Sequence, residues 1–175
     1  MAYRVTAGPL QSARFDARTQ TERYGGHTDR VQGEIRVDWA HPTEGAAGRL
    51  EVSTAALATG NGTRDSNMRR AFLETARYPT AVFTLTKIDA PPGAVAPGQS
   101  VRGFAEGQFT LHGVTRTVRP AVLVARAADG RSLHLIANFV VSLRDYKINT
   151  PRFLFFSVRQ EHPITVDIVG VPSGQ

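Results

Sequence analysis

Cysteine is absent from the 175 residues. That excludes disulfides, thiolate nucleophiles and zinc–thiolate sites. No apolar run approaches the roughly 20 residues that a membrane-spanning helix needs. No basic, apolar leader follows Met1, so the expected compartment is the cytoplasm, with the periplasm expected instead if a leader has been removed. No block of lysines and arginines interleaved with aromatics marks a nucleic-acid groove, and no nucleic-acid partner is expected. The net charge of +6 is modest. Arginines and acids alternate on what read as solvated strand faces.

Signatures of catalysis are missing as well. The five histidines are His27, His41, His112, His134 and His162. None has a partner at helical i, i+4 spacing, and none sits in an HExxH-like phrase. No serine lies in Gly-x-Ser-x-Gly. Gly60-Asn61-Gly62 is glycine-rich but lacks the lysine of a phosphate-binding loop, and reads as a turn into a helix. No catalytic residue, no metal and no cofactor is expected.

What is present is alternation, which places successive side chains on opposite faces of a strand. In residues 30–38, Val31, Gly33, Ile35 and Val37 share one face and Gln32, Glu34, Arg36 and Asp38 the other. Over 131–143, Leu133, Leu135, Ala137, Phe139, Val141 and Leu143 form an unbroken apolar row. Residues 49–54 and 163–170 repeat the pattern, and 12–19, 80–88, 101–111 and 115–126 are further candidates. That gives about eight strands, mostly joined by turn signals, in one domain over residues 1–175. Pro120 removes a ladder donor, so its strand is at an edge or bulged. Gly103 and Gly107 permit a bend within one strand.

One helix is predicted over 64–76, with Met68, Phe72 and Ala76 on one face. Asn61, Thr63 or Asp65 caps its start, and Tyr78-Pro79 ends it. The architecture is all-β with one short helix packed on it, either a closed up-and-down barrel or a sandwich. A barrel of about eight strands is filled by side chains or holds one small ligand. Phe83, Leu85, Phe109, Leu111, Leu135, Phe139, Val141, Phe155 and Phe156 fit either interior, as does the helix face of Met68 and Phe72. Leu111-His112-Gly113 reads as a hairpin turn with Gly113 at positive φ. The other reading lets His112 face a ligand head group. Arg64, Arg69, Arg70 and Arg77 make a basic helix region, a solvated face or else a rim for an acidic head group or a membrane surface.

Several phrases together resemble the YceI-like family, polyisoprenoid-binding proteins with a lipocalin-like barrel. They are Val31-Gln32-Gly33, Thr59-Gly60-Asn61, Arg64-Asp65, Phe72-Leu73, Tyr78-Pro79-Thr80-Ala81-Val82-Phe83 and Leu111-His112-Gly113-Val114-Thr115. The resemblance runs from about residue 31 to 143, with a weaker tail to 169. It implies an extended eight-stranded antiparallel barrel, a hydrophobic channel for an isoprenoid tail such as that of a quinone, and no catalysis. Two stretches depart from the family pattern. Ala7-Gly8-Pro9-Leu10-Gln11-Ser12 lacks a histidine that relatives often carry. Arg144-Asp145-Tyr146-Lys147 stands where relatives tend to have Arg-x-x-Phe-Gly.

The expected function is therefore non-enzymatic binding, transport or storage of a polyisoprenoid or similar long-chain lipid. The tail would lie among the apolar residues named above, with Arg64, Arg69 or His112 at the head group. A transient membrane-surface contact and a homodimer are further expected partners. The alternatives are a stress-related interaction protein with a filled barrel, and an isomerase or hydrolase on the same scaffold.

Overall fold

Ten strands come first along the chain, most of them following the alternation of the sequence. They are β1 (Ala2–Val5), β2 (Ser12–Arg18), β3 (Arg23–Thr28), β4 (Val31–Arg36), β5 (Ala47–Ser53), β6 (Thr80–Asp89), β7 (Ser100–Leu111), β8 (Val114–Val118), β9 (Ala121–Arg126) and β10 (Leu133–Ser142). A small ladder of β11 (Arg152–Phe153) and β12 (Phe156–Ser157) precedes the last strand, β13 (Glu161–Pro172). The structure, a computed structural model, describes residues 1–150, 152–153 and 156–174.

Antiparallel pairing runs β1-β4-β5-β6-β7-β9-β10-β13 and returns from β13 to β1, which closes an eight-stranded barrel. Closure removes the free edges that an open sheet of this size would carry. The β2–β3 hairpin hangs from β13, and β8 from β7. β13 serves two partners along one edge. Its residues Ile164–Asp167 pair with β2, and Val171 and Pro172 pair with β1. At the handover the buried side-chain amide of Gln11 substitutes for a strand. It donates to the Val169 carbonyl at 3.1 Å and accepts from the Val169 N–H at 2.9 Å. Both backbone groups are thereby satisfied.

Three expectations need correction. The strand read over 115–126 is two strands, because Pro120 ends the ladder and β7 changes partner there from β8 to β9. The Ala105 N–H donates to the Pro120 carbonyl at 3.0 Å and bridges the change. β1 and β3 went unread, since four residues are too short for a period and Tyr24-Gly25-Gly26 hides one. The helix is shorter than 64–76. It spans Gly62–Asn67 (α1), with Asn61 as the cap accepting from the Arg64 N–H at 3.0 Å. It then widens over Met68–Phe72, where the Leu73 N–H reaches five residues back to the Met68 carbonyl. Glu74, at φ 46°, turns the chain away before Ala76.

Two cores stack along the barrel axis. The first gathers Tyr3, Val5, Val31, Trp39, Leu133 and Ile168, where Tyr3, Val31 and Ile168 are 0% exposed. The second holds Phe109, Leu111, Val141, Tyr146 and Ile148, with Phe72 and Leu73 packed against it.

Candidate functional site

Inward parity brings four rows together in the lumen. β5 contributes Gly48, Leu50 and Val52, and β6 contributes Ala81, Phe83, Leu85 and Ile88. β7 contributes Val101, Gly103, Ala105 and Phe109, and β10 contributes Leu133, Leu135, Ala137 and Phe139. They enclose an apolar cavity of about 130 Å³. From Leu133 to Phe139 the lining extends roughly 20 Å at about 3.3 Å per residue. Leu50, Val52, Leu135, Ala137, Phe139 and Val166 face inward yet are only half-buried, because they face unfilled space instead of opposing side chains.

Small residues keep the middle open, and large ones close the ends. Gly107 has no side chain, and the Phe83 ring occupies that place, its Cζ 2.5 Å from where a Cβ would stand. The ring therefore lies against the wall. At one end the Trp39 indole N–H donates to the Tyr3 hydroxyl at 2.7 Å, with the rings edge to face at 6.1 Å. The Arg126 guanidinium covers the outer side of Trp39 at 5.6 Å and donates to the Val95 carbonyl at 3.2 Å. At the other end Phe109 meets Phe139 at 5.3 Å and Tyr146 at 5.6 Å, both edge to face. Burial raises the Tyr146 phenol above its ordinary pKa, with the Asp145 carboxylate adding to the effect. The phenol stays neutral, as an apolar wall requires.

Among the residues expected to bind ligand, Phe83, Leu85, Phe109, Leu135 and Phe139 border the cavity. Leu111 and Val141 sit in the adjoining second core, with Phe72 packed against it. Met68 is half-buried on the wide helical turn. Phe155 lies outside the described residues, and only the backbone of Phe156 is described.

The polar candidates hold the helix rather than the cavity. Arg64 pairs with Glu22 at 3.0 Å and lies over the Tyr24 ring at 3.9 Å. Arg69 donates to the Leu57 carbonyl at 2.9 Å. His112, at φ 52°, places Nδ1 3.1 Å from the Tyr146 carbonyl and Nε2 2.6 Å from the Glu74 carboxylate. Its ring leans on Tyr78 at 4.7 Å. Gly113 does take positive φ, at 73°. The Leu-His-Gly turn thus ties three segments together: the chain after the helix, the β7–β8 turn and the turn Leu143–Tyr146. Among the described residues no three histidine, aspartate or glutamate side chains cluster as a metal site would require.

Sequence reasoning missed Trp39 and Gly48 among the lining residues. Trp39 is the one tryptophan of the chain. It continues the parity of Ile35 and Val37, which was the available signal.

The YceI-like domain family matches residues 8–170. Protein YceI of Escherichia coli O157:H7 is 29% identical over 127 residues, covering 70% of this chain and 61% of that relative. The chain thus spans under two thirds of the curated relatives it matches. A polyisoprenoid binding domain from Saccharophagus degradans, implicated in plant cell wall breakdown, superposes with a TM-score of 0.75 at 15% identity, covering 98% of both chains. BcnA of Burkholderia cenocepacia superposes at 0.72 with 16% identity, over 91% of this chain and 95% of that one. The YceI protein of Campylobacter jejuni gives 0.69 and 18%, over 89% and 88%. At such identities the likeness is one of fold.

Proposed function

The chain belongs to the YceI-like domain family, and we propose that it is a non-enzymatic carrier or store for a polyisoprenoid or similar long-chain lipid, of the isoprenoid-quinone kind. The observation that carries this reading is the cavity. It runs along the barrel, and among the described residues the side chains that face it are apolar. Burying a hydrocarbon tail there is favourable by about 0.8 kcal/mol per CH₂, before the cost of ordering the tail. The solved polyisoprenoid binding domain with the same fold supports the ligand class. Among the described residues the lining offers no carboxylate or imidazole to move a proton, which supports binding over turnover.

Volume sets a condition on the reading. A cavity of about 130 Å³ is of the size that takes a benzene, about 150 Å³ in a well-studied engineered case. A tail of several isoprene units requires the lumen to widen, by rotation of Phe83 or Phe139 and movement of the wall. The same volume favours one second reading, a barrel that stays filled and serves as an interaction protein.

Native mass spectrometry of the purified protein, followed by organic extraction, separates the two. A stoichiometric polyprenyl or quinone species that co-purifies, or that loads on incubation, supports the carrier. A mass that stays unliganded after incubation with isoprenoids overturns it in favour of the filled barrel.

A further inference from the structure

The cavity is not centred between the two ends of the barrel. Val37, Trp39, Pro42, Ala46 and Ala90, from the β4–β5 and β6–β7 connections, border it. Among the described residues none does from the helical connection of residues 54–79, the β7–β8 turn or residues 143–160, where the second core fills the opposite end. At the first end the lumen is covered by connecting segments rather than by strands.

The β6–β7 connection is held over that end by one side chain. Residues 91–99 are exposed except for Val95, which is 5% exposed and lies in the core with Tyr3 and Trp39. Its N–H donates to the Trp39 carbonyl at 2.8 Å, and its carbonyl accepts from Arg126 Nη1 at 3.2 Å. Among the described residues these are the two hydrogen bonds that tie residues 90–97 to the rest of the barrel. Gly93 at φ 127° and Gly98 at φ 81° bracket the peg. A segment with one buried side chain and two such bonds opens at far lower cost than a strand ladder.

Arg126 stands under the peg, and it faces inward. It continues the row Val122 and Val124 of β9, both of which border the cavity. Its cross-strand neighbour is Leu133, which borders the cavity as well. Residues directly opposite in an antiparallel pair share a face, with Cβ atoms about 5 Å apart. The guanidinium is part-buried, and its Nε reaches neither solvent nor an acceptor. Among the described residues Arg126 forms no ion pair. Asp129, in the adjoining turn, accepts from the Arg131 N–H at 2.8 Å instead. A part-buried cation without a counter-charge is destabilising. An oxyanion is the acceptor that satisfies two guanidinium donors at once.

We propose that the segment 90–99 is a lid pegged by Val95, that ligand enters beneath it, and that the head of an apolar chain ending in an oxyanion then replaces the Val95 carbonyl on Arg126. The inference rests on the lipid-binding reading above and adds to it the entrance and the class of head group.

Farnesyl monophosphate and farnesol are the probes, followed by the fluorescence of Trp39, which borders the cavity. Val95→Ala is expected to take up either probe about tenfold faster than the unsubstituted protein. Glu74→Gln, which loosens the opposite end at His112, is expected to leave uptake unchanged. Arg126→Gln is expected to weaken farnesyl monophosphate about tenfold at equilibrium while leaving farnesol unchanged. The cysteine-free chain allows a check independent of either probe. The single thiol of Val95→Cys is expected to react with a maleimide about tenfold or more faster than that of Ile148→Cys, a position as deeply buried in the second core. Equal labelling of the two thiols, or uptake that responds to Glu74→Gln and not to Val95→Ala, overturns the lid. Arg126→Gln acting on both probes alike overturns the head-group site. In each case lipid binding stands. If the unsubstituted protein takes up neither probe, the lipid-binding reading falls and the inference with it.

Discussion

The Asp65 carboxylate accepts both hydrogen bonds that Thr59 can donate, from its backbone N–H at 2.8 Å and its hydroxyl at 2.6 Å. Asp65 is the buried residue of the short helix, and Thr59 lies in the crossing that leads from β5 into it. One side chain thus holds a six-residue helix that would not persist alone. Asp65→Ala leaves two donors without their acceptor and is expected to cost about 1–3 kcal/mol, read as a lower urea midpoint at unchanged slope.

The same pair gives an acid limit. Hydrogen bonding from the Thr59 hydroxyl, more than the opposing burial, holds the Asp65 carboxyl below the usual carboxylate range. Its stabilisation is full above the unfolded pKa, about 3.9, and is lost as pH falls through the lower folded value. Urea titrations at descending pH are expected to show Asp65→Ala and the unsubstituted protein converging in stability below about pH 4.

His162 acts in a milder window. Burial pushes its imidazole below the ordinary histidine value, partly offset by its hydrogen bond to the Arg159 carbonyl, 2.9 Å from Nε2. The folded state therefore binds the proton less readily than the unfolded chain. Stability is full above about pH 6.5 and declines as pH falls from there towards the folded pKa. Thermal melts at about pH 7.5 and about pH 5.5 are expected to differ less for His162→Gln than for the unsubstituted protein.

Filling the lumen is expected to separate stability from binding. Ala137 borders the cavity at the middle of the β10 row. Ala137→Leu occupies free space, so its melting temperature is expected to hold or rise. Uptake of a prenyl chain is expected to fall about tenfold or more, since the added side chain takes volume that the tail needs. Phe139→Asp places a charge in the same lining and is expected to abolish binding, with circular dichroism checking that the barrel survives. Normal lipid binding by a folded Phe139→Asp protein removes Phe139 from the site.

Tyr3 and Trp39 supply a test at the closed end. Tyr3→Phe keeps the packing but leaves the buried indole N–H of Trp39 without its acceptor. A loss of about 1–3 kcal/mol is expected from denaturant unfolding followed by the fluorescence of Trp39.

The ring of strands was largely legible because one inward face per strand produces a strict period of two. Residues 131–143 announced β10 almost to the residue, and the turn at His112–Gly113 followed from its glycine. What stayed hidden depends on partners distant in sequence. β1 is recognisable only through β4 and β13, and Gln11 reads as an unremarkable polar residue until Val169 is beside it. For the interior, parity singled out Phe83, Leu85, Phe109, Leu135 and Phe139 but also Leu111 and Val141. Parity fixes the face that a side chain points to, not the level along the axis where the second core ends and the cavity begins. Where the β5–β6 pairing ends was illegible for a related reason, since register is a property of two strands and the bulge at Leu85–Lys87 leaves no mark in composition.

The handover on β13 also sets the order in which the molecule can be made. The barrel shuts only when Val171 and Pro172 meet Arg4 and Tyr3, pairing the chain's first strand with its last. Until then a growing polypeptide carries two raw edges, one on β1 and one on β10. At roughly 5–20 residues per second on the ribosome, and with contacts so distant in sequence, closure waits until β13 has been made. A chain stopped before residue 161 is not a smaller binding protein but an open, sticky sheet, a template for aggregation.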